Sequence, residues 1–165
     1  MEYSKFTKRY IVKKLNEINL DEIEKVYAGN PDYFKYVPPL YTKESILRDL
    51  KALPYHKDSQ DKYFLGYYSD HLVAVMDLID HYPDLNSVMI GLFMVNSLDQ
   101  GKYIGWNMIQ DLCRYLKTQG YQEIRLGYVK ENIPAKYFWE KCGFIETGLI
   151  SHQELYDLII LKKDL

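Results

Sequence analysis

The sequence predicts an α+β fold, mixed in the order of its elements, on a single mostly antiparallel sheet with helices on both faces. Three observations lead there. The segments read β-α-α-β-β-β-α-β-α-β-β, which is not the regular alternation that a doubly wound dinucleotide fold requires from its start. The middle of the chain carries strand-like runs joined by turns too short for a helical crossover. Residues 88–95, Val-Met-Ile-Gly-Leu-Phe-Met-Val, are apolar on both faces, the mark of a central strand covered on two sides.

Taken in order, residues 9–15 read as a first strand, and Asn19-Leu20-Asp21 offers capping chemistry for a helix through Ala28, stopped by Gly29-Asn30-Pro31. Residues 29–41 read as an irregular, aromatic-rich stretch. Thr42 and Ser45 begin a second helix with an apolar set at Ile46, Leu47, Leu50 and Leu53, ended by Pro54. Strands are expected at 62–68 and 72–79, with turns at Ser69-Asp70-His71 and around Pro83-Asp84-Leu85-Asn86. Gly91, inside the apolar strand, permits a bulge or a close backbone approach. The helix expected over 102–118 carries a core stripe of Ile104, Met108, Ile109, Leu112 and Leu116, and Gly120 stops it. A strand follows at 122–128. Asn132 then opens a helix with Pro134 in its first turn, and Ala135, Phe138, Trp139 and Cys142 share one face. Residues 143–148 and 154–161 read as the closing strands. No repeat, low-complexity tract or charge block divides the 165 residues, so one domain, 1–165, is expected.

Composition narrows the function. Lys plus Arg total 21 against 23 for Asp plus Glu, a formal charge of -2, which argues against nucleic acid or an anionic membrane as a partner held by bulk charge. Cys113 and Cys142 are too few for a disulfide framework, and neither they nor His56, His71 and His152 have metal-ligand spacing; no metal is expected. No apolar run reaches a membrane span of roughly 18 residues, and the amino terminus lacks the apolar stretch of a signal peptide, so the expected location is cytoplasmic. The unusual count is tyrosine, 17 residues.

The chemistry concentrates in two segments. In Val95-Asn96-Ser97-Leu98-Asp99-Gln100-Gly101-Lys102-Tyr103-Ile104-Gly105 a buried strand runs through a glycine-bearing loop into an amphipathic helix. Such a helix start presents free backbone N–H groups and roughly half a positive charge to an anion. About 30 residues later comes the second segment, Asn132-Ile133-Pro134-Ala135-Lys136-Tyr137-Phe138-Trp139-Glu140-Lys141-Cys142-Gly143-Phe144. Together they resemble the GNAT superfamily of acyl-CoA-dependent N-acyltransferases, whose first motif runs Gln/Arg-x-x-Gly-x-Gly/Ala and whose second runs Asn-x-x-Ala-x-x-Phe-Tyr-Glu-Lys-x-Gly-Phe. Gln100 and Gly105 match the first; Asn132, Ala135, Phe138, Glu140, Lys141, Gly143 and Phe144 match the second. The element order fits the resemblance over nearly the whole chain.

The resemblance implies a splayed sheet and an acetyl-CoA co-substrate, with the pantetheine arm lying against the backbone of Phe93, Met94 and Val95 like an added strand. Gln100, Gly101, Lys102, Tyr103, Ile104 and Gly105 would cradle the pyrophosphate through backbone N–H groups. Asn132 would bond the arm near the sulfur, and Ala135 and Trp139 would line the thioester end. Two residues depart from the pattern. Tyr103 stands at the middle glycine, where helical angles with an outward ring are expected, because a positive φ strains a bulky residue. Trp139 stands at the position of the tyrosine that protonates the leaving thiolate, and an indole is not an acid at neutral pH. That loss slows transfer by the roughly 10²–10⁴-fold of general acid catalysis without forbidding it.

The reaction implied is N-acetylation of a primary amine, of a small molecule or a peptide, by direct attack; the alternative is an acyl-CoA-binding module of the same fold with little or no catalysis. The amine needs a proton acceptor, and the apolar strand offers no carboxylate. Asp77, on the preceding strand, is the candidate base, with Asp80 or His81 behind it. Tyr33, Phe34, Tyr36 and Tyr41 could wall an acceptor pocket whose Asp32 attracts an ammonium. The sequence leaves the oligomeric state open and is compatible with a homodimer.

Overall fold

A computed structural model describes residues 1–165. Seven strands, β1 Ile11–Lys14, β2 Lys62–Tyr68, β3 Leu72–Asp80, β4 Ser87–Val95, β5 Glu123–Val129, β6 Ile145–His152 and β7 Asp157–Asp164, form one sheet in the order β1-β2-β3-β4-β5-β7-β6. Every neighbouring pair is antiparallel except β4 with β5. The parallel step follows from the connection, because a return to the same sheet edge through the helix α4 Ile104–Thr118 is a crossover and not a hairpin.

Both faces are covered, as two all-round apolar strands require. On one face α4 and α5 Ile133–Lys141 bury Met108, Ile109, Leu112, Leu116 and Trp139, with Cys142 just beyond, against Leu65, Met76, Val88, Ile124 and Leu161. On the other, α1 Leu20–Ala28 and α3 Lys43–Asp49 bury Ile23, Val26, Tyr27 and Ile46 against Phe64, Val75 and Met94. Helix ends follow local chemistry. Thr42 and Ser45 form a reciprocal capping box at the start of α3. At the end of α4 the Gly120 N–H reaches the Lys117 carbonyl and the Tyr121 N–H the Leu116 carbonyl, a Schellman turn closed by Gly120 at φ 87°. No helix is long and apolar enough to cross a membrane.

Several boundaries differ from expectation: β1 keeps only Ile11–Lys14 of 9–15, β7 runs Asp157–Asp164 in place of 154–161, and four further differences have a local cause. Within the stretch expected to be irregular, Pro31 pre-sets the helical φ and starts a short helix, α2 Pro31–Tyr36. The helix α3 stops at Asp49 because the chain tightens into a turn, with the Lys51 N–H on the Arg48 carbonyl, before Pro54. α4 begins at Ile104, two residues late, since Tyr103 is not helical. β6 runs past Gly148, whose φ of 82° makes an irregularity in the β6/β7 pairing rather than an end.

The feature that shapes the site is the parting of β4 from β5. They pair only from Ser87 opposite Glu123 to Ile90 opposite Leu126, and beyond Ile90 the β4 edge that faces β5 has no strand partner. The parting begins at Gly91, the residue skipped in the β3/β4 register between Asp77 opposite Leu92 and Leu78 opposite Ile90. This is the bulge that Gly91 permitted, and the glycine is required by close approach: a Cβ there would stand 2.6 Å from Asp77 Oδ2. Gly91→Ala should therefore cost about 1–3 kcal/mol of stability, measured by urea denaturation. The cost should shrink in a Gly91→Ala/Asp77→Ala double variant compared with the sum of the two single changes.

Candidate active site

Where β4 and β5 part, a cleft of about 1040 Å³ opens, and it runs from the α4 loop to the α2 helix. Its β4 wall is Gly91 to Val95 and its β5 wall Gly127, Tyr128 and Val129, with Asn132, Ala135, Phe138 and Trp139 at α5 along one side. All of the residues expected from the motifs line it except Lys102: Phe93, Met94, Val95, Gln100, Gly101, Tyr103, Ile104, Gly105, Asn132, Ala135 and Trp139. Lys102 instead folds back, its ammonium donating to the Leu98 carbonyl at 2.9 Å.

The loop that enters α4 is strapped from several sides. Asn96 accepts the Leu98 N–H and donates to the Leu72 carbonyl at 3.2 Å. The Gln100 carboxamide donates to Asn30 Oδ1 at 2.7 Å and to the Val95 carbonyl at 3.0 Å, so its side chain fixes the loop to the α1–α2 junction and leaves the backbone to face the cleft. His71 bridges Asp70 (2.8 Å) and Asp99 (2.7 Å), and hydrogen bonding to Asp99 raises its pKa above the ordinary imidazole value.

Tyr103 corrects another expectation. Its φ is 58° and ψ 11°, left-handed and not helical, following Gly101 at φ 76°. Two left-handed residues turn the chain into the start of α4, whose first residues, Ile104 and Gly105, line the cleft. The ring does point outward, 62% exposed, with Lys141 Nζ 4.3 Å from its centroid. A left-handed tyrosine costs about 1–2 kcal/mol, and an exposed cation–π contact returns about 0.5–1 kcal/mol, so the position holds a net strain that a glycine would not.

At the other side of the cleft, Asn132 caps α5 by accepting the Ala135 N–H at 3.1 Å, which commits its oxygen and leaves its NH₂ for a ligand. Trp139 is buried in an aromatic cluster with Phe93, Phe138 and Phe144, centroids 4.9–6.1 Å away. Tyr137 is 65% exposed on the opposite side of the helix and cannot replace it.

Asp77 is not in the cleft wall. It lies behind Gly91, 8% exposed, with Oδ2 accepting from Lys62 Nζ at 2.9 Å and Oδ1 without a partner. Lys62, itself buried, also donates to the Ala52 carbonyl at 2.7 Å. Burial pushes the Asp77 carboxyl up to about 6, against the pull of Lys62. Asp80 is ruled out as a base for the cleft: it is at the far end of β3, accepting from Tyr121 at 2.6 Å and paired with the amino terminus at 3.9 Å. His81 caps the following turn against the Leu85 carbonyl.

At the α2 end Tyr33 and Tyr36 line the cleft, as does Asp32. Phe34 and Tyr41 do not; they pack on Tyr27, with centroids 5.6 Å from it, because α2 turns that face inward to close the second core. Sequence reasoning missed Tyr156 and Leu158, which reach the cleft from β7 and the turn before it, and Lys141 and Trp106 at the loop end. The β6–β7 pair folding back beside β5 brings the first two in, a tertiary event with no local signal.

Over 94% of its length the chain superposes on an acetyltransferase from Thermus thermophilus with a TM-score of 0.73 at 19% identity, covering 97% of that chain. It also superposes on the PaiA N-acetyltransferase of Thermoplasma acidophilum in complex with coenzyme A, TM-score 0.67 at 19% identity, covering 94% of this chain and 99% of that one. Both are likenesses of fold. In sequence it is 29% identical over 157 residues to acetyltransferase PseH of Campylobacter jejuni, covering 93% of this chain and 94% of that protein. The Acetyltransferase (GNAT) family model matches residues 23–144. The chain belongs to the GNAT acetyltransferase family.

The buried carboxyl gives this site a pH signature. Asp77 binds its proton more tightly folded than unfolded, so between about pH 4 and 6 the native state holds more protons and stability falls as pH rises. Urea midpoints measured from pH 4 to 7 in the parent chain and in Asp77→Asn should differ by a component that falls as pH rises and levels off above about pH 6.

Proposed function

We propose that the protein transfers the acetyl group of acetyl-CoA to a primary amine, of a small molecule or a peptide, by direct attack. The observation that carries this reading is the β4 edge without a strand partner from Gly91 onward, ending at the glycine-bearing loop into α4, whose residues Gln100, Gly101, Tyr103, Ile104 and Gly105 line the same cleft. An open strand edge fits the amide-bearing pantetheine arm, and the left-handed turn at Gly101 and Tyr103 fits a pyrophosphate. The coenzyme A bound to the Thermoplasma relative supports the same assignment.

In this reading the amine nitrogen attacks the thioester carbonyl carbon, whose oxygen accepts a hydrogen bond from a β4 backbone N–H among Phe93, Met94 and Val95. The C–S bond then breaks, giving the acetamide and the coenzyme A thiolate. The proton lost by the amine passes to Asp77, which is ionised above about pH 6 and packs against Gly91 of the cleft wall, and water protonates the thiolate in place of the missing tyrosine. Tyr33 and Tyr36, with Asp32, receive the acceptor. Trp139 walls the thioester end and supplies no proton. A second reading, a binding module with little turnover, is favoured by Trp139 and by the position of Asp77 behind the wall.

The two readings part in one assay. Acetyl-CoA at about 100-fold excess over its Kd should raise Tm by about 5–10 °C, and a panel of amines should release free thiol. Asp77→Asn should lower kcat about 10²-fold or more and remove an acidic limb near pH 6 while leaving the KM for acetyl-CoA little changed. Thermal shift without thiol release from any amine supports the binding module, and neither effect refutes both.

A further inference from the structure

Tyr103 keeps a strained backbone for a ring that serves no packing role. It is 62% exposed at the lip of the cleft, in a left-handed conformation at φ 58° that glycine would adopt freely. A strained residue on the rim of a binding cleft directs attention to what its side chain does there. One face of the ring is covered by Lys141 Nζ at 4.3 Å. Lys141 is held in place by the backbone as well, its carbonyl accepting the Trp106 indole N–H at 3.3 Å, which ties the end of α5 to the first turn of α4.

The other cations near this mouth are occupied. Lys35 is paired with Asp32, and Lys102 is folded onto the Leu98 carbonyl. Lys141 makes no ion pair, and it lines the cleft beside Tyr103 at the start of α4. Past its pyrophosphate, coenzyme A carries a flat purine base and a ribose 3′-phosphate, and these need an aromatic face and an ammonium.

We propose that Tyr103 and Lys141 form the seat for the nucleotide end of coenzyme A, with the adenine stacked on the open face of the Tyr103 ring and the Lys141 ammonium on the 3′-phosphate. This rests on the coenzyme A reading above and extends it to side chains. It also accounts for the departure from the motif's glycine: the ring turns a loop that would recognise any pyrophosphate into one that recognises the nucleotide attached to it.

Isothermal titration calorimetry with coenzyme A, 3′-dephospho-coenzyme A and 4′-phosphopantetheine tests it. Tyr103→Gly should weaken coenzyme A about tenfold relative to 4′-phosphopantetheine, the scale of one base–aromatic stack, and Tyr103→Phe should restore the ratio. Lys141→Met should weaken coenzyme A about three- to fivefold relative to 3′-dephospho-coenzyme A. Because glycine relieves the left-handed strain, ligand-free Tyr103→Gly should melt no lower than the parent. An unchanged ratio in Tyr103→Gly overturns the adenine seat, and equal losses for both coenzyme A forms in Lys141→Met overturn the phosphate contact; in either case the coenzyme A reading stands. A parent chain that binds none of the three ligands overturns that reading itself.

Discussion

A sheet keeps its interior strands by pairing both edges of each, because an unpaired N–H or C=O away from water costs about as much as a lost hydrogen bond. Here that rule is broken in the middle of the sheet. β4 leaves β5 after Ile90, and from Gly91 to Val95 one edge of a central strand faces a cleft. The break is possible because β4 stays paired to β3 as far as Val95 and β5 stays paired to β7 as far as Val129, so each wall is held from behind. Everything else in the site depends on this gap: its inner end is the Gly91 bulge over Asp77, and its outer end is the loop into α4.

The loop shows how the fold holds a site without filling it. His71, Asn96, Gln100 and Asn30 use side chains to fasten residues 96–100 to the β2–β3 turn and the α1–α2 junction. Side-chain bonds spent on the scaffold leave backbone donors for the cleft. Behind the other end, Lys62 and Asp77 form an ion pair packed against Gly91, where any Cβ would meet the carboxylate.

Most of the architecture is legible in the sequence because it rests on local rules: the apolar strand at 88–95, the stripe of α4, the caps at Thr42 and Asn132, the stop at Gly120. The motif residues converge on the cleft for the same reason, since they lie within two short segments whose strand–loop–helix form is local. What is not legible comes from tertiary closure. Phe34 and Tyr41 look like pocket walls in sequence, but the one-and-a-half turns of α2 aim Phe34 at Tyr27, and Tyr41 closes on the same ring. The steric preference of Tyr103 is for helical angles, and the geometry of the loop overrides it. Asp77 can be placed on its strand but not behind Gly91, since the bulge that hides it is a two-strand feature. Among the tyrosines three kinds of use are distinct: Tyr27 and Tyr67 in the cores, Tyr33, Tyr36 and Tyr156 along the cleft wall, and Tyr103 at the lip.

The central claim is that the unpartnered β4 edge and the α4 loop are completed by coenzyme A. Amide hydrogen exchange with and without coenzyme A reads this directly, residue by residue. The account predicts slowed exchange at residues 92–95 and 100–105, with β2 and β3 unchanged. Binding that leaves the exchange of residues 92–95 as fast as in the free protein would contradict it.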